Sequence, residues 1–137
     1  MSRAPRKPAA PARGPVVSEP LLVRRGDVLW SCCDPSGGVA PRQTRTCVVV
    51  SSDIANQFGA AITVVPTQEW TAERAARVYR VDLRKPRSTV EAPRVANASM
   101  VMTYDRTRIV AREGRLHQGA LRALDRALLI HLGLAPP

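Results

Sequence analysis

The sequence predicts a mainly β fold with peripheral helices, a β-rich α+β chain, and three observations carry that expectation. Short segments rich in Val, Ile and Thr recur between turn residues from about residue 21 to about residue 110. Leu116, Ala120, Leu121, Leu124, Leu128 and Leu132 then recur at helical spacing, with Arg122, Asp125 and Arg126 on the other side. Strands do not alternate with helices and no Gly-rich phosphate motif occurs, which argues against a doubly wound parallel sheet. A small, strongly bent antiparallel sheet or barrel, with the last helix packed on it, satisfies all three.

The elements follow in order. Val28, Trp30 and Cys32 alternate with Leu29, Ser31 and Cys33, as in a strand. Thr46 to Val50 is β-branched and apolar, as a buried strand should be. A third strand covers Ile62 to Val65, and Pro66 should stop it. Thr71 to Arg77 is charged and Ala-rich, a loop or a short helical turn. Val78 to Leu83 alternates strictly and reads as a half-exposed strand, followed by a turn at Lys85 to Ser88. Ala98 to Tyr104 should be another strand and Thr107 to Val110 a shorter one. Gly133 stands where the cap of the final helix would be.

Residues 1–19 hold Arg3, Arg6, Lys7 and Arg13, four prolines and only Glu19 as an acid. That composition cannot bury a core, so a disordered basic Pro/Ala-rich tail is expected before a single domain at 20–137. The chain carries 21 basic and 11 acidic residues, a net charge of +10. Without the tail 17 basic and 10 acidic residues remain, so the domain itself keeps +7. A polyanionic partner suits such a field. No apolar run approaches the ~18 residues of a membrane span, and no apolar stretch follows the basic N-terminus as in a signal peptide. A cytoplasmic protein with no membrane partner is therefore expected.

Three cysteines, two of them adjacent, make no disulfide framework, and no fourth ligand or CxxC-like spacing suggests zinc. They read as small buried hydrophobes. His117 and His131 lie in no nucleophile motif and read as structural or surface residues. Asp27, Asp34, Asp53 and Asp105 are dispersed near turns and strand ends, where Asp is commonly structural, and no two-metal signature emerges. Arg45, within Gln43-Thr44-Arg45-Thr46, is a different case. At a strand start it either snorkels to solvent or offers a permanently charged planar fork to phosphate. Such a fork can stabilise charge developing on a scissile phosphate.

The order Arg25-Gly26-Asp27, Trp30, Asp34-Pro35, Gly38, Arg45 and Ser52-Asp53-Ile54 resembles the opening of the MazF/PemK toxin family. Later pieces extend the resemblance over about residues 22–134. They are Val64-Val65-Pro66-Thr67-Gln68, the segment Met102 to Ile109, and Asp125, Ala127-Leu128 and Leu132-Gly133-Leu134. The resemblance implies a small SH3-like barrel of the CcdB/MazF type with an amphipathic C-terminal helix, forming a homodimer. It implies a metal-independent endoribonuclease without cofactor that cuts single-stranded RNA by attack of the ribose 2′-hydroxyl. The products would carry 2′,3′-cyclic phosphate and 5′-hydroxyl ends.

The family's catalytic arginine falls on Arg45, and its second catalytic residue on Thr67 or on Gln68. The resemblance places Gly38, Arg42, Thr44, Gln68 and Ser99 in the RNA groove. It implies a MazE-like antitoxin whose acidic C-terminal segment fills that groove. The chain departs from the pattern at Ala40, Thr46, Ser99-Met100 and Met102. A different cut sequence or RNA class is expected, with a tRNA loop as plausible as mRNA. Two other readings stay open. One is a CcdB-like toxin that binds gyrase, a class without the catalytic arginine. The other is a degenerate relative that binds RNA or antitoxin without cutting.

Overall fold

The computed structural model describes residues 21–32 and 44–137. The expected tail over 1–19, and with it Gly38 and Arg42, lies outside the described residues. Strand β1 (Asp27–Cys32) pairs antiparallel with β2 (Thr44–Val49), which pairs with the long β3 (Ala61–Glu69). Further strands are β4 (Arg80–Asp82), β5 (Arg94–Asn97), β6 (Met102–Asp105) and β7 (Ile109–Arg115). The order across the sheet is β4-β5-β3-β2-β1-β7, with β6 also on β3. Three helices lie at the periphery: α1 (Asp53–Phe58), α2 (Ala72–Ala75) and α3 (Gln118–His131).

The alternation of β1 to β3 divides the apolar residues between two cores, one on each face of the sheet. Val28, Val48, Val65 and Ala96 pack under α3, against Ala120, Leu124 and Ala127. Leu29, Cys47, Val49, Ile62, Val64 and Tyr104 fill the other face, with Ile109 of β7 against them. Residues of five strands thus converge on one interior, so this part of the sheet curls into a small barrel. The stripe read in the sequence buries as expected at Leu116, Ala120 and Leu124, whereas Leu132 is 58% exposed because the helix has already ended. Gly133 takes φ +75°, the left-handed conformation of a helix C-terminus.

Several elements differ from expectation. Pro66 does not end β3. Val50 N–H donates to Thr63 C=O, so the odd residues of β3 turn their backbone groups toward β2. The Pro66 nitrogen faces the opposite edge, where β3 changes partner from β6 (last pair Val64↔Met102) to β5 (first pair Thr67↔Ala96). No ladder donor is needed at that point. The strand expected from Ala98 is a 3₁₀ turn at Ala98–Met100 before β6, because Asn97 Oδ1 accepts from Ser99 N–H and bends the chain. β5 itself, four residues long, is too short to show a period. Helix α1 was not foreseen; it is capped by Ser52 Oγ, which accepts from Ala55 N–H.

β7 is longer and more charged than expected. Its charges are absorbed by Asp27, which is fully buried, yet accepts from Arg112 Nε at 3.2 Å, Arg115 Nε at 3.1 Å and Arg24 N–H at 2.9 Å. Arg25 reaches Asp125 of α3, and Gly26 supplies φ +92° between them. The Arg25-Gly26-Asp27 motif therefore ties β1 to β7 and α3 rather than serving chemistry. Asp53 and Asp105 are structural in the same way. They accept from Arg25 N–H and Thr107 N–H respectively.

Candidate active site

Arg45 occupies the second position of β2, opposite Ser31 of β1. Ser31 is fully buried and its hydroxyl donates to Arg45 C=O at 3.2 Å, which holds the backbone while the side chain is exposed. Among the described residues the Arg45 guanidinium has no hydrogen-bond or ion-pair partner. Its two-residue neighbour Cys47 lies in the barrel core, so Arg45 belongs to the barrel-core face at its open end.

The β2–β3 register, Cys47↔Pro66, extended by two residues sets Arg45 beside Gln68. Gln68 is half-buried and its Oε1 is buried without a hydrogen-bond partner. A buried amide oxygen left unpaired is uncommon and is readily satisfied by a ligand donor. Thr67 points to the other face. Its hydroxyl is buried, in contact with Thr46 Oγ1, and donates to Thr46 C=O at 3.3 Å. Of the residues singled out in the sequence, the continued register sets Arg45 and Gln68 on one face, whereas Thr67 turns inward. Thr44 opens β2 next to Arg45.

Ser99 stands apart from this pair, in a cleft of about 560 Å³ between α2, β4 and the Asn97–Ser99 turn. Arg74, Arg77, Arg80 and Tyr79 share the cleft, and sequence reasoning missed all four. Their signal was present as an arginine every three residues, running from the segment read as a loop or short helical turn into the half-exposed strand after it.

A second unforeseen group lies under the sheet. The β1–β7 pairing slips between Val28 and Leu29, leaving Glu113 opposite no residue, and such a bulge re-aims a side chain. Glu113 turns inward, 3.6 Å from Arg94, whose guanidinium lies 5.2 Å from the Trp30 ring centre. Burial raises the Glu113 carboxyl above its usual range, with Arg94 only partly opposing that effect. Neither Glu113 oxygen has a hydrogen bond.

Nucleophilic alternatives do not assemble among the described residues. Burial pushes the Cys47 thiol up to about 12, against weaker opposite effects of Ser31 and Arg108, so it stays protonated and unreactive. His117 precedes α3 and His131 packs edge-on against Tyr79 at 5.3 Å. No group of three His, Cys, Asp or Glu side chains could hold a metal ion among the described residues.

Comparison with known proteins gives a consistent set of matches. The family described as PemK-like, MazF-like toxin of type II toxin-antitoxin system matches residues 24–132. Endoribonuclease MazF9 of Mycobacterium tuberculosis is 31% identical over 120 residues, covering 82% of this chain and 98% of that protein. Among solved structures, a mycobacterial endoribonuclease in complex with its cognate antitoxin superimposes with a TM-score of 0.67 at 18% identity, covering 84% of this chain and 99% of that one. A MazE-MazF structure from Deinococcus radiodurans gives 0.68 at 18% identity with the same coverage.

Proposed function

Because the chain belongs to the PemK-like, MazF-like toxin family of type II toxin–antitoxin systems, we propose that it is an endoribonuclease that cuts single-stranded RNA or RNA loops without a metal ion. The observation that carries this reading is Arg45, an exposed guanidinium on a buried, hydrogen-bonded strand, with no protein partner among the described residues and Gln68 beside it. The ribose 2′-hydroxyl attacks the adjacent phosphorus, the bond to the 5′-oxygen breaks, and 2′,3′-cyclic phosphate and 5′-hydroxyl ends result. The Arg45 fork holds two phosphate oxygens and stabilises the charge that builds on them. Gln68 Oε1 can accept from the ribose hydroxyl and orient it. Thr67 remains the second candidate for that role.

The protein acts in the cytoplasm as a homodimer held in check by a MazE-like antitoxin. Ile54 and Phe58, four apart on α1 and 74% and 78% exposed, offer apolar surface that a second copy can cover. No described helix is long and apolar enough to cross a membrane. The acidic segment of the antitoxin would compete with RNA for the basic domain. Sequencing of 5′-hydroxyl RNA ends after brief expression tests the reading. Discrete ends that vanish in Arg45→Ala are expected and would reveal the cut sequence. Growth arrest without new ends would replace it by a gyrase-binding or binding-only toxin.

A further inference from the structure

The cleft lined by Arg74, Arg77 and Arg80 lies on the same face of the sheet as Arg45. Arg80 pairs with Asn97 across β4 and β5, and Thr67 pairs with Ala96 across β3 and β5. Carried one residue further, that register puts Asn97 beside Pro66, in the row next to Gln68 and Arg45. Side chains of directly paired residues share a face. Arg80, Asn97, Gln68 and Arg45 therefore line one surface. Arg45 and the strand carrying Arg80 are three strand spacings apart, roughly 14 Å at about 4.8 Å each.

The cleft is furnished with donors. Arg80 is half-buried, and among the described residues no hydrogen bond or ion pair engages its side chain. Arg77 meets only Glu73, at 3.5 Å, with both side chains mostly exposed, and such a pair is weak. Arg74 uses Nη1 on Glu69 C=O and keeps its other donors. The buried Asn97 has its Oδ1 occupied by the N–H and hydroxyl of Ser99, so its amide NH₂ is the part left to serve a ligand. Three guanidiniums against one carboxylate, with no bound carboxylate of their own closer than 3.5 Å, make a site for anionic oxygen.

We propose that this cleft is a phosphate subsite that holds the RNA backbone a few nucleotides from the bond cut at Arg45. The proposal rests on the ribonuclease reading for its ligand. RNA is favoured over an acidic peptide because the cleft continues the surface that presents Arg45 and Gln68, so one strand crossing the sheet edge meets both.

The test is a salt titration of binding to a short single-stranded RNA of random sequence, in an Arg45→Ala background that leaves the RNA whole. Each phosphate contact removed should lower the log–log salt slope by about 0.7. Arg77→Gln with Arg80→Gln should lower it by about twice that and weaken all sequences alike. Arg77→Lys with Arg80→Lys should restore most of the slope. Arg122→Gln with Arg126→Gln, on the exposed side of α3, should leave it unchanged. An unchanged slope in the first pair overturns the subsite, as does an equal fall in both glutamine pairs. Loss of affinity for a Glu-rich peptide with RNA binding intact assigns the cleft to the antitoxin instead. Absence of Arg45-dependent RNA ends, together with the lowered slope, would remove the nuclease reading and keep the cleft as an RNA site.

Discussion

At the scale of single residues, the site rests on two side chains with unsatisfied chemistry. Removing Arg45 takes away a preorganised charge and nothing that packs, so Arg45→Ala should cut cleavage by about 10²–10³ in kcat, the loss typical of one oxyanion donor. Its melting temperature should match the parent protein, which calorimetry checks. Gln68 and Thr67 separate cleanly. Gln68→Ala should slow single-turnover cleavage of the folded enzyme. Thr67→Ala breaks the hydroxyl contact with Thr46 inside the fold and should cost about 1–3 kcal/mol in urea unfolding. If Thr67→Ala stays as stable as the parent but loses cleavage, while Gln68→Ala cuts normally, the roles given to the two residues are reversed. Arg45 stood out in the sequence only through the family resemblance, since its local sequence equally suited an arginine snorkelling to solvent. The choice between Thr67 and Gln68 was not legible, because adjacent strand residues face opposite ways and only the register says which way.

At the scale of elements, α3 is held by an apolar stripe and β7 by charge. Leu124 is fully buried between α3 and the sheet, so Leu124→Ala should cost about 2–5 kcal/mol, read as a lower denaturant midpoint. The bulge in β7 brings a different dependence, on pH. Glu113 binds its proton more tightly in the folded state than in the unfolded chain, where an ordinary glutamate titrates at about 4.3. The stabilisation from this group is therefore fully present below that value and is lost as pH rises through the raised one. Across this range the parent's unfolding free energy, taken relative to that of Glu113→Gln, should fall as pH rises. A variant with the parent's slope would show that other groups carry it. The helix was legible because its apolar period persists over about four turns. The bulge was not, because a one-residue slip between paired strands leaves no mark in either strand's own pattern.

At the scale of the whole molecule, the net charge of +10 sets the range over which partners are drawn in. Binding of an acidic antitoxin segment should weaken steeply as salt rises, since encounter and affinity both use that field. Titration calorimetry at two ionic strengths decides it, and equal affinities would sink the electrostatic account. Assembly is read most simply from the solution mass by light scattering, where a homodimer is expected. A mass that falls with Phe58→Glu would place α1 in the contact.

The sequence by itself determined the β-rich class, the closing helix and the basic character of the domain. Each depends on local composition or on a period that the chain displays along its own length. Only the tertiary structure decided that Pro66 lies within a strand, because tolerance of a missing donor depends on which edge it faces. It also decided that Asp27 is a buried clamp and that Gln68 shares a face with Arg45. Arg80 and Asn97 join the same surface for the same reason. These facts come from pairings between residues tens of positions apart, and no local pattern records which strand a residue will meet.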